Sequence, residues 1–272
     1  MGGGMANAFR NLAACAAALW LAAADAAPNP ACPNGPVSIA YFDYGAAYHE
    51  GKGYDVETLH ELVKRMGCPI QSDAEYPRIR VLKLLEIGQA DLSASTTVTP
   101  ERQRYLWMLP YHYTKNLVLL RPGAQAETLD DLLKIPDLRW GMVRGYRHGP
   151  AGDKMLEELA RQGKVAVAAN DDDLYKMVCG GVVTAVFGIP ISYDPWLSAH
   201  PNCQRIVIRD MFPDSETSPG AIVLSKQRFS QQAAELWQAE LRRMFRDGSI
   251  RAIMLRYYSA PAVDKLLKSL GD

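Results

Sequence analysis

The sequence predicts an α/β protein with two open sheets, each covered by helices on both faces. Three observations point to this class. Strand-like and helix-like segments alternate along most of the chain. They form two successive series, divided at Pro122-Gly123. The last third of the chain returns to strand and helix patterns, which we expect to complete the first series.

Residues 1–26 predict a signal peptide. Arg10 supplies a positive start, Leu12 to Ala24 is almost wholly apolar, and Ala24-Asp25-Ala26 offers the small residues of a cleavage site. The apolar stretch is shorter than the about 20 residues that a membrane-spanning helix needs. We therefore expect a mature, water-soluble protein exported to the periplasm.

Charge and hydrophobic content argue against some classes of binding partner and against disorder. Lys+Arg and Asp+Glu both number 30, so no basic field favours nucleic acid or an anionic membrane. Hydrophobic residues make up 48 % of the chain, which argues against disorder. An ordinary globular protein fits this composition.

Four cysteines follow the leader, and four cysteines allow three pairings. Cys32 precedes the first predicted strand and Cys68 follows the first helix, so both fall at one end of the sheet. Cys179 ends a helix and Cys203 enters a strand in the same way. Position therefore favours the disulfides Cys32–Cys68 and Cys179–Cys203. Without a CxxC pair, a zinc or redox site is not indicated.

The first series starts with a β-rich run and an amphipathic helix that Gly67 ends. Thr99 is typical of an N-cap, with Pro100 at the first helical position. In order, the predicted elements are strand Val37 to Phe42, helix Asp55 to Met66, helix Ile79 to Leu85, strand Ala90 to Ala94, a helical turn after Thr99, and strand Leu117 to Leu120.

The second series alternates in the same way. Its predicted elements are helix Leu129 to Leu133, strand Trp140 to Val143, loop Gly145 to Gly149, helix Asp153 to Arg161, strand Val165 to Ala168, helix Asp172 to Cys179, and strands Val182 to Phe187 and Arg205 to Ile208. The last third adds strand Ala221 to Leu224 and helices Ala233 to Phe245 and Ile250 to Tyr258.

Six motifs in collinear order resemble the type II periplasmic solute-binding proteins of the polar amino acid class, bacterial extracellular solute-binding protein family 3. Each motif is weak alone, but their order and spacing from Val37 to Tyr258 are specific. The motifs are Gly53-Tyr54-Asp55-Val56-Glu57, Leu84-Leu85-Glu86-Ile87-Gly88-Gln89-Ala90-Asp91-Leu92, Thr97-Val98-Thr99-Pro100-Glu101-Arg102, Pro110-Tyr111-His112-Tyr113, Trp140-Gly141-Met142-Val143-Arg144-Gly145-Tyr146 and Phe245-Arg246-Asp247-Gly248-Ser249-Ile250.

The resemblance implies a two-lobed periplasmic binding protein type II fold with open mixed sheets and two hinge strands. Lobe 1 would comprise residues 27–113 and 218–272, and lobe 2 residues 114–217. The hinge crossings would lie near Tyr113 to Leu117 and Thr217 to Ala221. Such a protein closes around an amino acid or related carboxylate and delivers it to an ABC permease, most simply as a monomer and without a cofactor.

Ligands of open α/β sheets bind beyond the carboxyl ends of the strands, where helices begin. Residues matching the family's carboxylate site are Ser95, Thr97 and Arg102, and a guanidinium can hold a carboxylate bidentately. The alternative is that Thr99 caps a helix and Arg102 forms a surface ion pair.

The remaining predicted ligand contacts come from both lobes. Similar proteins place an aromatic wall after the first strand, where Tyr41 and Phe42 point to opposite faces. We favour Phe42, supported by Tyr44, for the cleft. The other candidates are Arg78, with Arg80 beside it, and Tyr146, Arg147 and His148 in the glycine-bounded loop. Each has the alternative of a solvated side chain.

The sequence departs from the family at one position. Amino acid binders carry an acidic residue for the ligand's ammonium group after strand Val182 to Phe187, where this chain has Gly188-Ile189-Pro190. Asp172 and Asp173 fit helix capping better, and Asp194 is a possible substitute. With Arg78, Arg102, Arg147 and His148 unpartnered, we hypothesise a carboxylate ligand, either an acidic amino acid or an organic acid without the ammonium.

Enzyme motifs are missing: the sequence has no GxSxG, HExxH, GxxxxGK[ST] or GxGxxG, and its histidines lack metal-ligand spacing. We therefore expect neither catalysis nor a metal. The catalytic alternative is a cyclohexadienyl dehydratase-like enzyme on the same scaffold, with Glu50 or Asp43 as general acid or base. A sensory or accessory binding protein is a third possibility.

Overall fold

A computed structural model describes residues 29–215 and 217–267. It contains two five-stranded sheets with hydrophobic clusters on both faces of each sheet. The predicted two-lobed α/β fold is thus confirmed. The predicted signal peptide lies outside the described residues.

Strands and helices follow one another through both lobes. The strands are β1 (Val37–Tyr41), β2 (Ile70–Glu75), β3 (Leu92–Thr97), β4 (Leu106–Thr114), β5 (Leu117–Leu120), β6 (Trp140–Val143), β7 (Val165–Ala168), β8 (Ala185–Gly188), β9 (Val207–Arg209) and β10 (Ser218–Ser225). The helices are α1 (Tyr54–Met66), α2 (Arg78–Glu86), α3 (Pro100–Gln103), α4 (Leu129–Leu133), α5 (Gly149–Arg161), α6 (Asp171–Cys179), α7 (Pro190–Ala199), α8 (Gln231–Arg246), α9 (Ser249–Met254) and α10 (Ala260–Leu267).

The first sheet has the order β2-β1-β3-β10-β4. Strand β10 comes from the last third of the chain and pairs antiparallel with both β3 and β4. The second sheet has the order β7-β6-β8-β5-β9, with β5 antiparallel to β8 and β9. Two connections join the sheets, one after Thr114 and one after Arg209. The lobe boundaries at residues 113 and 218 remain a prediction.

Apolar side chains on opposite faces of each strand hold the helices in place. On one face of the first sheet, α1 and α8 bury Leu59, Leu62 and Trp237. On the other face, α2 buries Val81 and Leu85. The carboxyl ends of the strands remain uncovered by these helices, and there the two lobes meet.

Several strands and helices differ from those predicted from the sequence. Strand β2 is a mostly exposed edge strand without apolar alternation, so no pattern marks it. Strand β4 contains Pro110, which an edge strand tolerates because one of its sides has no partner strand. Helix α7 was not predicted from the sequence, because it begins at Pro190 and contains Pro195, a residue that usually breaks helices. The predicted strand from Val182 starts only at Ala185, since residues 180–184 form a turn.

Both predicted disulfides are confirmed: Cys32 pairs with Cys68, and Cys179 pairs with Cys203. The first ties the segment before β1 to the end of α1. The second ties the end of α6 to the short 3-10 helix Pro201–Cys203. Each disulfide therefore fixes a helix end within its own lobe.

We expect the Cys179→Ser, Cys203→Ser double variant to lose about 3 kcal/mol of unfolding free energy, because closing a loop of this length restricts the unfolded chain. Urea denaturation measures the loss. Reductant should lower the unfolding free energy of the wild type more than that of the variant, because it breaks two disulfides in the wild type and one in the variant. Equal unfolding free energies of variant and wild type would contradict this expectation.

Candidate functional site

A cleft lies between the lobes at the carboxyl ends of β1, β3 and β6. All nine predicted ligand residues line it, together with two that the sequence reading missed, Asn116 and Gly145. Asn116 lies in the β4–β5 connection, and Gly145 follows β6. The predicted residues are Phe42, Tyr44, Arg78, Ser95, Thr97, Arg102, Tyr146, Arg147 and His148. Their convergence is a finding, and ligand binding by them remains a prediction.

Arg102 crosses the cleft from α3. The Thr99 side chain caps this short helix by accepting from the Arg102 N–H, as predicted. Arg102 is only 2 % exposed, and its guanidinium donates to the Thr97 carbonyl at 2.8 Å and to the Gly145 carbonyl of the second lobe at 2.6 Å. A surface ion pair for Arg102 is therefore wrong.

The charge of Arg102 has no carboxylate partner among the described residues. Burial and the nearby Arg147 lower the pKa of Arg102 to about 10, so the group is still a cation at neutral pH. A cation held only by carbonyl dipoles favours the arrival of an anion.

Arg78 is the first residue of α2 and is 5 % exposed. Its guanidinium stacks 4.2 Å from the ring centroid of Phe42, and one terminal nitrogen donates to the Thr96 hydroxyl at 3.2 Å. The other terminal nitrogen, Nη1, has no partner. Burial and then Arg102 lower the pKa of Arg78 to about 9. Arg80 is exposed beside Tyr76, outside the cleft lining.

Three aromatic rings form a wall across the cleft. Phe42 and Tyr44 of the first lobe meet Tyr146 of the second, with ring centroids 6.2 and 5.6 Å from that of Tyr146. Tyr41 points to the opposite face and stacks on Tyr48 in the core. The alternation along β1 thus puts Phe42, not Tyr41, in the cleft.

Ser95 connects the cleft to a buried polar network in the first lobe. It has a positive φ of 43°, beside an irregularity in the β3–β10 pairing, a strained conformation often associated with functional sites. Its hydroxyl lies 2.9 Å from that of Tyr111, which donates to the carboxyl group of Asp55. Burial raises the pKa of Asp55 to about 7. The hydroxyl of Ser95 is therefore oriented from within the lobe.

Two of the four predicted cations need correction. Arg147 has a partner, because it donates to Glu101 across the cleft at 3.0 Å. His148 stacks on Phe187 and its Nδ1 lies 3.0 Å from the Asn116 side-chain oxygen. Burial, together with Arg147 and Arg102, lowers the pKa of His148 to about 3, so the ring is neutral at pH 7. Arg78 and Arg102 remain as unpaired charges.

An apolar segment follows β8, at the position where amino acid binders carry the acidic residue for the ligand's ammonium group. Ile189 and Ile191 follow β8 and pack into the hydrophobic cluster of the first lobe. Tyr258 of that lobe also donates to the Ile191 carbonyl at 2.7 Å. The segment therefore holds the lobes together and offers no carboxylate to the ligand.

The acidic residues near this segment are engaged elsewhere. The cap of α6 is Asn170, not Asp172 or Asp173, which lie in the first helical turn. The unpredicted Asp171 is buried and accepts from Ser192, and burial raises its pKa to about 7. The carboxylate of Asp172 binds Lys176 and Trp196, and Asp194 does not line the cleft.

The two candidate catalytic carboxylates also lie outside the cleft lining. Glu50 is exposed in the loop after β1, and Asp43 pairs with His49 at 3.2 Å. Within residues 29–215 and 217–267, no cluster of His, Cys, Asp or Glu is arranged to hold a metal ion. No helix in that part of the chain has the length and hydropathy needed to cross a membrane.

The family model for "Bacterial extracellular solute-binding proteins, family 3" matches residues 38–260. Two solved structures of similar fold are the arginine-, lysine-, histidine-binding protein ArtJ from the thermophilic bacterium Geobacillus stearothermophilus (TM-score 0.69, 16 % identity, 85 % of this chain and 99 % of that one) and the GluR0 ligand-binding core from Nostoc punctiforme in complex with (L)-glutamate (TM-score 0.65, 15 % identity, 82 % and 99 %).

A third similar structure is the ancestral amino acid-binding protein AncCDT-1, a precursor of cyclohexadienyl dehydratase (TM-score 0.66, 16 % identity, 83 % of this chain and 96 % of that one). No curated protein matches the chain in sequence. At these identities the structural likeness establishes the fold alone, whereas the family model covers most of the chain.

The raised pKa of buried Asp55 predicts how the unfolding free energy depends on pH. The folded chain retains a proton there up to about pH 7, whereas the unfolded chain loses it near the ordinary pKa of 3.8. The unfolding free energy should therefore fall as pH rises through this window, by about 1.4 kcal/mol per pH unit for each such proton.

We expect the unfolding free energy of the Asp55→Asn variant to fall less steeply with pH, because the contribution of one proton is removed. The contribution of Asp171, whose pKa is also raised to about 7, should remain. Urea unfolding at pH 4, 5.5 and 7 measures the slope. Asp173→Asn, at an exposed position of α6, is the matched control and should keep the wild-type slope. Parallel curves for Asp55→Asn and the wild type would contradict the assignment.

Proposed function

The chain belongs to the bacterial extracellular solute-binding proteins of family 3, and we propose that it captures a small carboxylate between its lobes. In this proposal it is the periplasmic binding component of an ABC-type uptake system. One observation carries the choice of ligand: the cleft contains two buried arginines, Arg78 and Arg102, and none of the described residues that line it is acidic.

Electrostatics favours an anion over a cation at this site. A buried charge is costly unless it is paired. Arg102 donates only to carbonyl groups, and Arg78 has a free terminal nitrogen. A carboxylate can accept from a guanidinium through two parallel bonds. An acidic amino acid or a related organic acid would therefore compensate the two charges, whereas a basic amino acid would add to them.

Capture would occur by closure of the lobes. Several contacts join the lobes across the cleft, among them Arg102 with Gly145 and Arg147 with Glu101. They can exist only in a closed form. A ligand that touches both lobes binds the closed form better and shifts the population toward it. Small backbone rotations in the two connections between the sheets would supply the motion.

The protein would act in the periplasm together with a membrane permease. The predicted leader and the two disulfides suit an oxidising compartment such as the periplasm. A permease would recognise the closed monomer. We expect binding without turnover, because neither Glu50 nor Asp43 lines the cleft.

We expect Arg102→Met to weaken carboxylate binding about 100-fold, because truncating one partner of a buried charge pair costs several kcal/mol. Isothermal titration calorimetry with a panel of acidic, neutral and basic amino acids and organic acids measures the effect. Arg104→Met, at an exposed position beside α3, is the matched control and should bind as the wild type does. Preference of the wild type for a basic amino acid would refute the proposal.

We expect Ile191→Ser to favour the open form of the free protein, because closure would no longer bury this apolar side chain in the first lobe. Small-angle X-ray scattering should give a larger radius of gyration than for the wild type, and saturating ligand should reduce it. Ile87→Ser, at an exposed position, is the control. An unchanged radius without ligand would contradict a role of Ile191 in closure.

A further inference from the structure

We propose that Arg78 forms a second anion subsite beside Arg102, and that the ligand is a small dicarboxylate without an ammonium group. This inference rests on the proposed function and specifies its ligand. One carboxylate would bind Arg102 and the hydroxyl groups of Ser95 and Thr97 at the end of β3. The other would bind Arg78 against the ring of Phe42.

The bonding of Arg78 leaves a place for this second carboxylate. Its guanidinium is held from one side by the Phe42 ring and by the Thr96 hydroxyl, which fixes its orientation. Nη1 finds no acceptor although the side chain is 95 % buried. A buried donor without a partner is destabilising, because it has lost its hydrogen bonds to water without gaining others. A ligand oxygen in the cleft would remove this penalty and neutralise the charge.

Both arginine side chains approach the same turn of the second lobe, Arg102 with its guanidinium and Arg78 with its aliphatic stem. Arg102 donates to the Gly145 carbonyl, and a side chain at Gly145 would come within 3.3 Å of the Arg78 Cγ. Each arginine also raises the cost of charging the other, since Arg102 lowers the pKa of Arg78. A ligand with two separated negative groups relieves this repulsion, and a monocarboxylate relieves it only in part.

The acidic groups around the cleft cannot serve an ammonium group. Glu101 binds Arg147, Asp153 accepts from the backbone N–H of His148, and Asp171 accepts from Ser192. None of these carboxyl groups lines the cleft. An ammonium group on the ligand would meet two cations and no anion. We therefore expect an amino group to weaken binding.

Titration calorimetry with matched ligands tests the inference. The probes are succinate and glutarate, the monocarboxylates butyrate and pentanoate, and the amino acids aspartate and glutamate. We expect the wild type to bind at least one dicarboxylate about 10-fold or more tightly than its monocarboxylate and its amino acid counterparts. We expect Arg78→Met to weaken dicarboxylate binding about 10- to 100-fold and monocarboxylate binding little.

Two further variants separate charge from packing. Arg78→Lys keeps the charge and should retain part of the dicarboxylate preference. Arg80→Met removes an exposed arginine two positions along the same helix and should bind as the wild type does. Thermal melting of each variant checks that it folds.

The outcomes distinguish the inference from the function on which it rests. If the wild type binds glutamate, itself a dicarboxylate, as tightly as glutarate, the exclusion of an ammonium group is refuted. If it binds monocarboxylates as tightly as dicarboxylates, the second subsite is refuted and carboxylate capture stands. The same holds if Arg78→Met weakens mono- and dicarboxylates equally, since Arg78 would then only support the Phe42 wall. If no carboxylate in the panel binds the wild type, both the inference and the proposed function fail.

Discussion

The guanidinium of Arg102 is buried between two lobes and bonded on each side to a backbone carbonyl, Thr97 in the first lobe and Gly145 in the second. This cation has left water without gaining a counter-ion. The same is true of Arg78, which stacks on Phe42. The need to compensate these two charges connects the fold, the closure of the lobes and the choice of ligand.

On the first-lobe side, a buried hydrogen-bond network lies behind the cleft. A buried chain of hydroxyl and carboxyl groups runs from Ser95 through Tyr111 to Asp55 at the start of α1. Gly53 permits this start, since its φ is 140° and a side chain there would collide with the Ala47 carbonyl. In the proposed mechanism, the first lobe presents Ser95 and its neighbours to the ligand, and the second lobe adds the Gly145 turn on closure.

Closure itself depends on apolar as well as polar contacts. Ile189 and Ile191 leave the second lobe and enter the core of the first. In a protein whose lobes must separate, these side chains add a hydrophobic contribution to the closed form that does not depend on the ligand. In the proposed mechanism, this contribution and the repulsion between Arg78 and Arg102 have opposite effects on closure, and a ligand anion would remove the repulsion.

The sequence by itself predicted two α/β sheets and both disulfides, and its family resemblance added the two-lobed fold and nine of the eleven residues that line the cleft. Periodicity and motif order act over short separations. Alternation along β1 separated Tyr41 from Phe42, and the structure places Phe42 in the cleft. Only the tertiary structure decided the state of the charges. Glu101 neutralises Arg147, burial keeps His148 uncharged, and Ile189 packs across the lobes. These features depend on contacts between residues far apart in the chain, so no local pattern carries them.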